Sequence, residues 1–404
     1  MYTIVMGCRF HPIDDRRIAM NIGTARDLMA QVKFEPQLRI LGATTSSLAE
    51  IKDATIIDLD EVPNLSFALL PYDGSGRSWL KNQHRVKEVL IREARVSDVW
   101  HTTISMRVWD LARMSYEVGR KYAPGLRVFV MDGDAVSMLR ASGRLSRLKS
   151  YFVQRQIVHR LQDADLSIFV GQGIHATYAK YAKQSVMTNA VWLTNGEIAD
   201  PSEVSHRFQD LRMPRLVLPT RLTAWKGVDD AIRAVGLLGD RLGPFRLDIV
   251  GEGDVKNDLI KLVKREGLED RIQFLPSVAY GEPFFRLFRS YHMVLAPTRA
   301  LEETRIVYDA AANGCALVHS ATPTLENALQ GLSPRWTHEP SNPRSLADTL
   351  ATAFAERDRW NEAGLAGLEF MRGRTIDEMH RIRSEFMAEK RPDARRRLEE
   401  AGRS

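Results

Sequence analysis

A chain of 404 residues is too long for one ordinary hydrophobic core, so two domains are expected. Its 44% hydrophobic and 27% charged residues are those of a soluble globular protein, and a net charge of +6 favours anionic ligands or surfaces without calling for nucleic acid. The two cysteines, Cys8 and Cys315, lie too far apart for a disulfide framework or a zinc site, and no run reaches the roughly 18 apolar residues of a membrane span. The N-terminus lacks the basic start and long apolar run of a signal peptide, so a reducing cytoplasm is the expected location.

In chain order, the first half offers strands at "YTIVMG", "LRILGA", "ATIIDL", "SDVWHT", "RVFVMDGD" and "LSIFVG". Helix-period stretches such as "NIGTARDLMAQV" and "RVWDLARMSYEVGRKY" lie between them. Gly7 closes the first strand, a position where a ligand can approach bare backbone. The segment 139–161 carries Arg140, Arg144, Arg147, Lys149, Arg155 and Arg160 with no acid, interleaved with Leu145, Leu148, Tyr151 and Phe152. It reads either as a basic amphipathic helix for an anionic membrane surface or as an ordinary solvated helix. A polar stretch with two prolines around residues 195–214 reads as the linker region.

The second half restarts the alternation with "RLVLPT", "FRLDIVGEG", "RIQFLP", "HMVLAP" and "CALVHS". Such βα alternation predicts two doubly wound α/β domains facing a central cleft, with ligands at the carboxyl ends of the strands. The boundaries expected are 1–196, a linker at 197–213, a second domain at 214–375, and a helix with a charged tail at 376–404.

Two stretches point to an anion site. In "VLPTRLTAWKGVDDAIRAV" a strand ends, Arg221 and Lys226 follow, and Gly227 opens a helix. Two cations beside a helix N-terminus make a diphosphate clamp, or else two solvated charges in a turn. Gly251 and Gly253 follow the next buried strand, where glycine lets a ligand come close. Further on, "RALEETRIVYDAAANG" puts Glu302, Glu303 and Asp309 in or before an alanine-rich helix. If that helix starts early, Glu302, Arg305 and Asp309 share one face, as an ion-pair ladder or as ligand contacts.

The order of these motifs from Arg215 to about Ser320 resembles the donor domain of family 4 glycosyltransferases, which have the GT-B fold. Arg221, Lys226 and Gly227 match R-x4-K-G, "IVGEG" matches the following glycine strand, and "DAAANGCALV" matches the segment that opens on the second glutamate of E-x7-E. The resemblance implies transfer of a sugar from a nucleotide diphosphate sugar with retention of configuration and without a metal or cofactor. Arg221 and Lys226 would stabilise the departing diphosphate, and Asp309 would hold the ribose hydroxyls. Gly7, Gly251, Gly253, Glu303, Thr304 and Arg305 would join it around the donor.

The chain departs from that pattern in three places. Eight residues before Asp309 stands Leu301, so Glu302 is a glutamate displaced by one. Side chains occupy 302–305 where the family has glycines. The histidine expected after an N-domain strand is absent, and Asp132 of "VFVMDGDAV" is the nearest candidate for a catalytic role; His101 ends an earlier strand. Asp132 and Asp134 also form a D-x-D, the metal motif of the GT-A fold, or else line the cleft or cap a helix. A glycan or lipid-linked acceptor in surface or exopolysaccharide synthesis is expected, with peripheral contact at the inner face of the membrane through 139–161. The alternatives are a non-catalytic nucleotide-sugar or glycan binding protein and a nucleotide-sugar epimerase on the same fold.

Overall fold

The computed structural model describes residues 1–104, 110–141, 144–394, 396 and 400. Among these, fifteen strands form two sheets. The first sheet contains β1 (Tyr2–Pro12), β2 (Arg17–Asn21), β3 (Leu38–Thr44), β4 (Ala54–Asp58), β5 (Leu65–Leu70), β6 (Val99–Thr103), β7 (Leu126–Met131), β8 (Leu166–Val170) and β9 (Ser185–Thr188). Its parallel body runs β5-β3-β1-β6-β7-β8-β9, and the far end of β1 turns out to pair antiparallel with β2, which pairs β4. The second sheet contains β10 (Arg215–Pro219), β11 (Arg246–Val250), β12 (Ile272–Leu275), β13 (Met293–Ala296), β14 (Ala316–Ser320) and β15 (Trp336–His338). It is parallel throughout, in the order β12-β11-β10-β13-β14-β15.

The central strands are apolar on both faces because helices cover both sides. Leu216, Val217 and Leu218 of β10 and all four residues of β13 are buried. The helix Val228–Leu238 sends Ala231, Ile232, Val235 and Leu238 into that core and keeps Asp229 and Asp230 in its first turn, where carboxylates suit the helix dipole. Strand order reverses between β10 and β13 in the second sheet and between β1 and β6 in the first. At such a switch point the loops diverge to opposite faces and leave a crevice at the strands' carboxyl ends.

Three expectations change. The segment 197–213 is not a bare linker. It holds the helix Pro201–Arg207, whose Val204 is buried in the second core, and Arg207 donates to the carbonyls of Phe288, Asn313 and Gly314. The basic segment 139–161 spans two helices, Ala135–Ala141 and Arg144–Asp163, with residues 142–143 outside the described residues. The first strand runs on past Gly7 to Pro12, so Gly7 lies mid-strand, at the irregular register between Val5 and Arg9. The helix Ile376–Ala388 follows the second domain in sequence but packs on the first: Ile376 N donates to Leu193 O, His380 Nε2 pairs with Asp27 Oδ1 at 3.1 Å, and Met387 joins the first core.

Candidate active site

The two loops that flank the switch point of the second sheet carry the sequence candidates. One follows β10 and bears Arg221 and Lys226; the other follows β13 and bears Glu302 to Arg305. Arg299 ties them together. Its guanidinium donates to Asp229, to both carboxylate oxygens of Asp230 and to Ala224 O, and its backbone N–H donates to Trp225 O at 2.8 Å.

The glycines act differently from the expectation. A Cβ on Gly251 would stand 1.9 Å from Thr220 O, and one on Gly253 would stand 2.0 Å from Leu222 O. Thr220 N donates to Val250 O and Leu222 N to Glu252 O, both at 2.9 Å. The glycines therefore let two protein loops touch, and they pin the backbone on either side of Arg221. Arg221 itself is exposed and has no hydrogen-bond or ion-pair partner among the described residues. Gly227 takes a left-handed φ of +68°, and a Cβ there would strike Pro297 O at 1.9 Å, so only glycine turns this loop into its helix.

Lys226 is close by but engaged. Its Nζ lies 2.5 Å from Glu302 Oε1, which also accepts from Thr298 Oγ1 at 3.1 Å. Both ends of the pair are largely buried. A charge pair of this kind loses little to screening, and removing one partner strands the other. The first loop thus carries one open cation, Arg221, and one balanced by an acid, Lys226.

The remaining residues of the second loop face elsewhere. The helix begins only at Ile306, so Glu302 stands in the loop and shares no helix face with Asp309. Glu303 is 7% exposed, and its two oxygens accept from Gln172 N (3.1 Å), Ala190 N (3.0 Å) and Tyr308 Oη (2.7 Å). The amides of Gln172 and Ala190 lie in the β8 and β9 loops of the first domain. That occupancy corrects the reading of Glu303 as a donor ligand, and burial pushes its carboxyl up. Thr304 is buried as well.

Asp309 has no exposed surface. Tyr280 Oη donates to its Oδ1 at 2.8 Å, and Oδ2 stands 3.6 Å from Arg305 Nε, too long for a hydrogen bond. Burial pushes the carboxyl up to about 6, against the opposing pull of Arg305. Arg305 lies between two rings, 3.9 Å from the centroid of Trp192 and 4.6 Å from that of Tyr280. As folded, Asp309 presents no surface to the cleft, while the Arg305 side chain is about one third exposed at 32%.

On the facing domain, Asp132 stands exposed at the carboxyl end of β7. The surrounding protein nonetheless desolvates it enough to push its carboxyl up, as in a narrow cleft. Asp134 diverges from it: buried, its Oδ1 accepts from Val136 N and Tyr178 Oη, both at 3.0 Å. The D-x-D acids therefore do not converge on a common point. The helix Ala135–Ala141 that follows packs against Ala224–Lys226, which brings the Asp132 edge to the cation loop. His101 is a core residue. Its Nδ1 lies 3.0 Å from Tyr2 Oη, and burial pushes it down to about 3. Gly7 is exposed with open space around it, apart from these loops in sequence and element.

Sequence reasoning missed Thr298, Arg299, Tyr280, Trp192 and Arg26. Arg26 donates to Glu197 at 2.5 Å and to Trp192 O, and it stacks 5.4 Å from Tyr280. No spacing pattern links these residues, because they come from four separate segments.

Residues 213–356 match the family model described as "Glycosyl transferases group 1". The match covers the second domain and none of the first. Across nearly the whole chain, solved glycosyltransferases share its architecture. Sucrose-phosphate synthase from Thermosynechococcus elongatus superposes with a TM-score of 0.72 at 12% identity, covering 96% of this chain and 98% of that one. HepE from Anabaena, solved in complex with UDP and glucose, gives 0.68 at 13% identity over 96% and 99%. A glycosyltransferase from Rickettsia africae gives 0.62 at 15% identity over 96% and 98%. The fold of the chain is GT-B. A search of the curated proteins returns no match, and no helix among the described residues is long and apolar enough to cross a membrane.

Proposed function

We propose that the protein transfers a sugar from a nucleoside diphosphate sugar, with retention at the anomeric carbon, to a glycan or lipid-linked acceptor in surface or exopolysaccharide synthesis. The observation that carries this reading is the open Arg221 beside Lys226 at the switch point, on a loop held from both sides. UDP is the first nucleotide to test, since HepE was solved with UDP and with UDP-glucose.

In this scheme the bond between the anomeric carbon and the diphosphate oxygen breaks, and negative charge builds on the leaving diphosphate. Arg221 stands open for that charge, and donors placed in advance act most strongly in the transition state. Lys226 must share itself between Glu302 and the phosphate. The acceptor oxygen bonds the same face of the carbon, and its proton passes to the departing diphosphate. Asp132 borders the acceptor side. Asp309 reaches the ribose only if Arg305 gives way. No metal or cofactor takes part, and the donor is a substrate.

Incubation with a panel of nucleoside diphosphate sugars tests the reading. Release of nucleoside diphosphate and a product of unchanged anomeric configuration by NMR are expected. Nucleotide binding with no release from any donor would favour a non-catalytic binding protein, and an epimerised donor would favour an epimerase.

The acceptor class draws support from the helix Arg144–Asp163. Leu148, Tyr151 and Phe152 are 68%, 62% and 58% exposed, beside exposed Arg147, Lys149 and Arg155. No acid occurs between Asp134 and Asp163. The helix runs antiparallel to β7 and β8, so this patch lies at the cleft end of the sheet. Apolar side chains among cations suit the boundary of an anionic bilayer at the cytoplasmic face. Co-sedimentation with phosphatidylglycerol vesicles, weak with phosphatidylcholine and lost on Tyr151→Ser with Phe152→Ser, is the expected result. Equal binding to both vesicle types removes the membrane contact.

A further inference from the structure

Glu302 and Glu303 are adjacent, yet their carboxylates serve different bodies. Glu302 holds Lys226 on its own domain. Glu303 crosses to the other domain and meets only hydrogen-bond donors: two backbone N–H groups there and one phenol at home. None of these three partners is a cation. A buried carboxylate without a cation is expensive unless its oxygens are fully engaged, and here the engagement exists only while the domains are together. Gly171, with φ +116°, clears the path: a Cβ there would sit 3.0 Å from Glu303 Cβ and 3.1 Å from its Oε2. Beside it, Gly173 makes room for Thr324 of the second domain, whose Oγ1 would lie 1.8 Å from an added Cβ.

We infer that Glu303 is a positioning residue: it latches the acceptor-side domain onto the loop whose preceding residue, Glu302, pairs with Lys226. The register between Asp132 and the Arg221–Lys226 loop is set by a carboxylate whose two oxygens each accept a backbone N–H of the facing domain. Glutamine cannot replace it, because its amide nitrogen would face a backbone N–H. The inference rests on the proposed transfer for its catalytic meaning, but the latch itself is a property of the protein without substrate.

The experiment compares wild-type full-length protein with Glu303→Gln and Glu303→Ala by small-angle scattering, UDP calorimetry and donor turnover. Both variants are expected to show a larger radius of gyration, UDP affinity within about threefold of wild type, and turnover reduced at least tenfold. Glu303→Gln keeps the side-chain volume, and its thermal melt shows whether it is folded if the alanine variant is not. Unchanged scattering in a folded Glu303→Gln overturns the latch. A fall in UDP affinity that matches the fall in turnover, with scattering unchanged, returns Glu303 to the donor site. If wild type binds no nucleotide, the transferase reading fails while the scattering comparison still decides the latch.

Discussion

The two loops at the switch point make an instructive pair. The Arg221–Lys226 loop is pinned through its backbone, by glycine contacts and carbonyl bonds, so Arg221 is left open and Lys226 alone is tied, to Glu302. The Glu302–Asp309 segment is pinned through its side chains, and each acid in it is engaged: Glu302 by Lys226, Glu303 by the facing domain, Asp309 by Tyr280. A loop fixed by its main chain can spare its charges, and one fixed by its charges cannot. The electrostatic work of the site therefore falls on the first loop and the architectural work on the second.

The sharpest way to break that contrast is to remove the two cations of the first loop. Arg221→Ala and Lys226→Ala are each expected to lower turnover by about 10²–10³-fold, roughly 3–4 kcal/mol, and to weaken UDP binding. Unchanged calorimetric affinity in both would end the claim for the first loop. Next in size is Asp309. Its folded pKa of about 6 lies above the ordinary value near 3.8, so the folded state holds the proton more tightly. Stability from this group is full below about pH 4 and is lost as pH rises through 6, by roughly 3 kcal/mol at neutrality. Asp309→Asn keeps an acceptor for Tyr280 and lacks the titration. Relative to wild type the variant should gain stability between pH 4 and 7 in urea melts, and a constant difference would show an ordinary carboxylate. The smallest effect is expected at Arg305. Arg305→Met should cost about 1–2 kcal/mol of stability and shift Trp192 fluorescence while UDP affinity stays within threefold. A larger loss of affinity would move Arg305 to the donor side.

Much of the fold was readable because parallel strands buried on both faces are continuous apolar runs, as in "RLVLP" and "LSIFV". β2, β9 and β15 were not seen. They have three to five residues each, and their pairing partners, not their own pattern, make them strands. β5 was apolar enough to read, and the amphipathic helix Gly76–Arg95 follows it, yet it was overlooked. In the site, Arg221, Lys226 and Gly227 were placed by spacing, since a strand, a turn and a helix start fix a loop's position along the chain. The partners of Glu303 and Asp309 were not legible. Spacing along one segment says nothing about which way a carboxylate turns, and the deciding groups are Ala190 N, Gln172 N and Tyr280 Oη from distant segments.

The return of the last helix to the first domain has a mechanical consequence. The chain passes between the domains twice, once near Val191–Thr194 and again before Ile376, and the two passages touch where Ile376 N meets Leu193 O. A single tether would let one body tumble freely about the other. Two adjacent tethers behave as the paired leaves of a door hinge, permitting rotation about one line and resisting twist and slide. Whatever opening the cleft undergoes is thereby confined to a single arc, and the two faces meet again in the same alignment each time it closes.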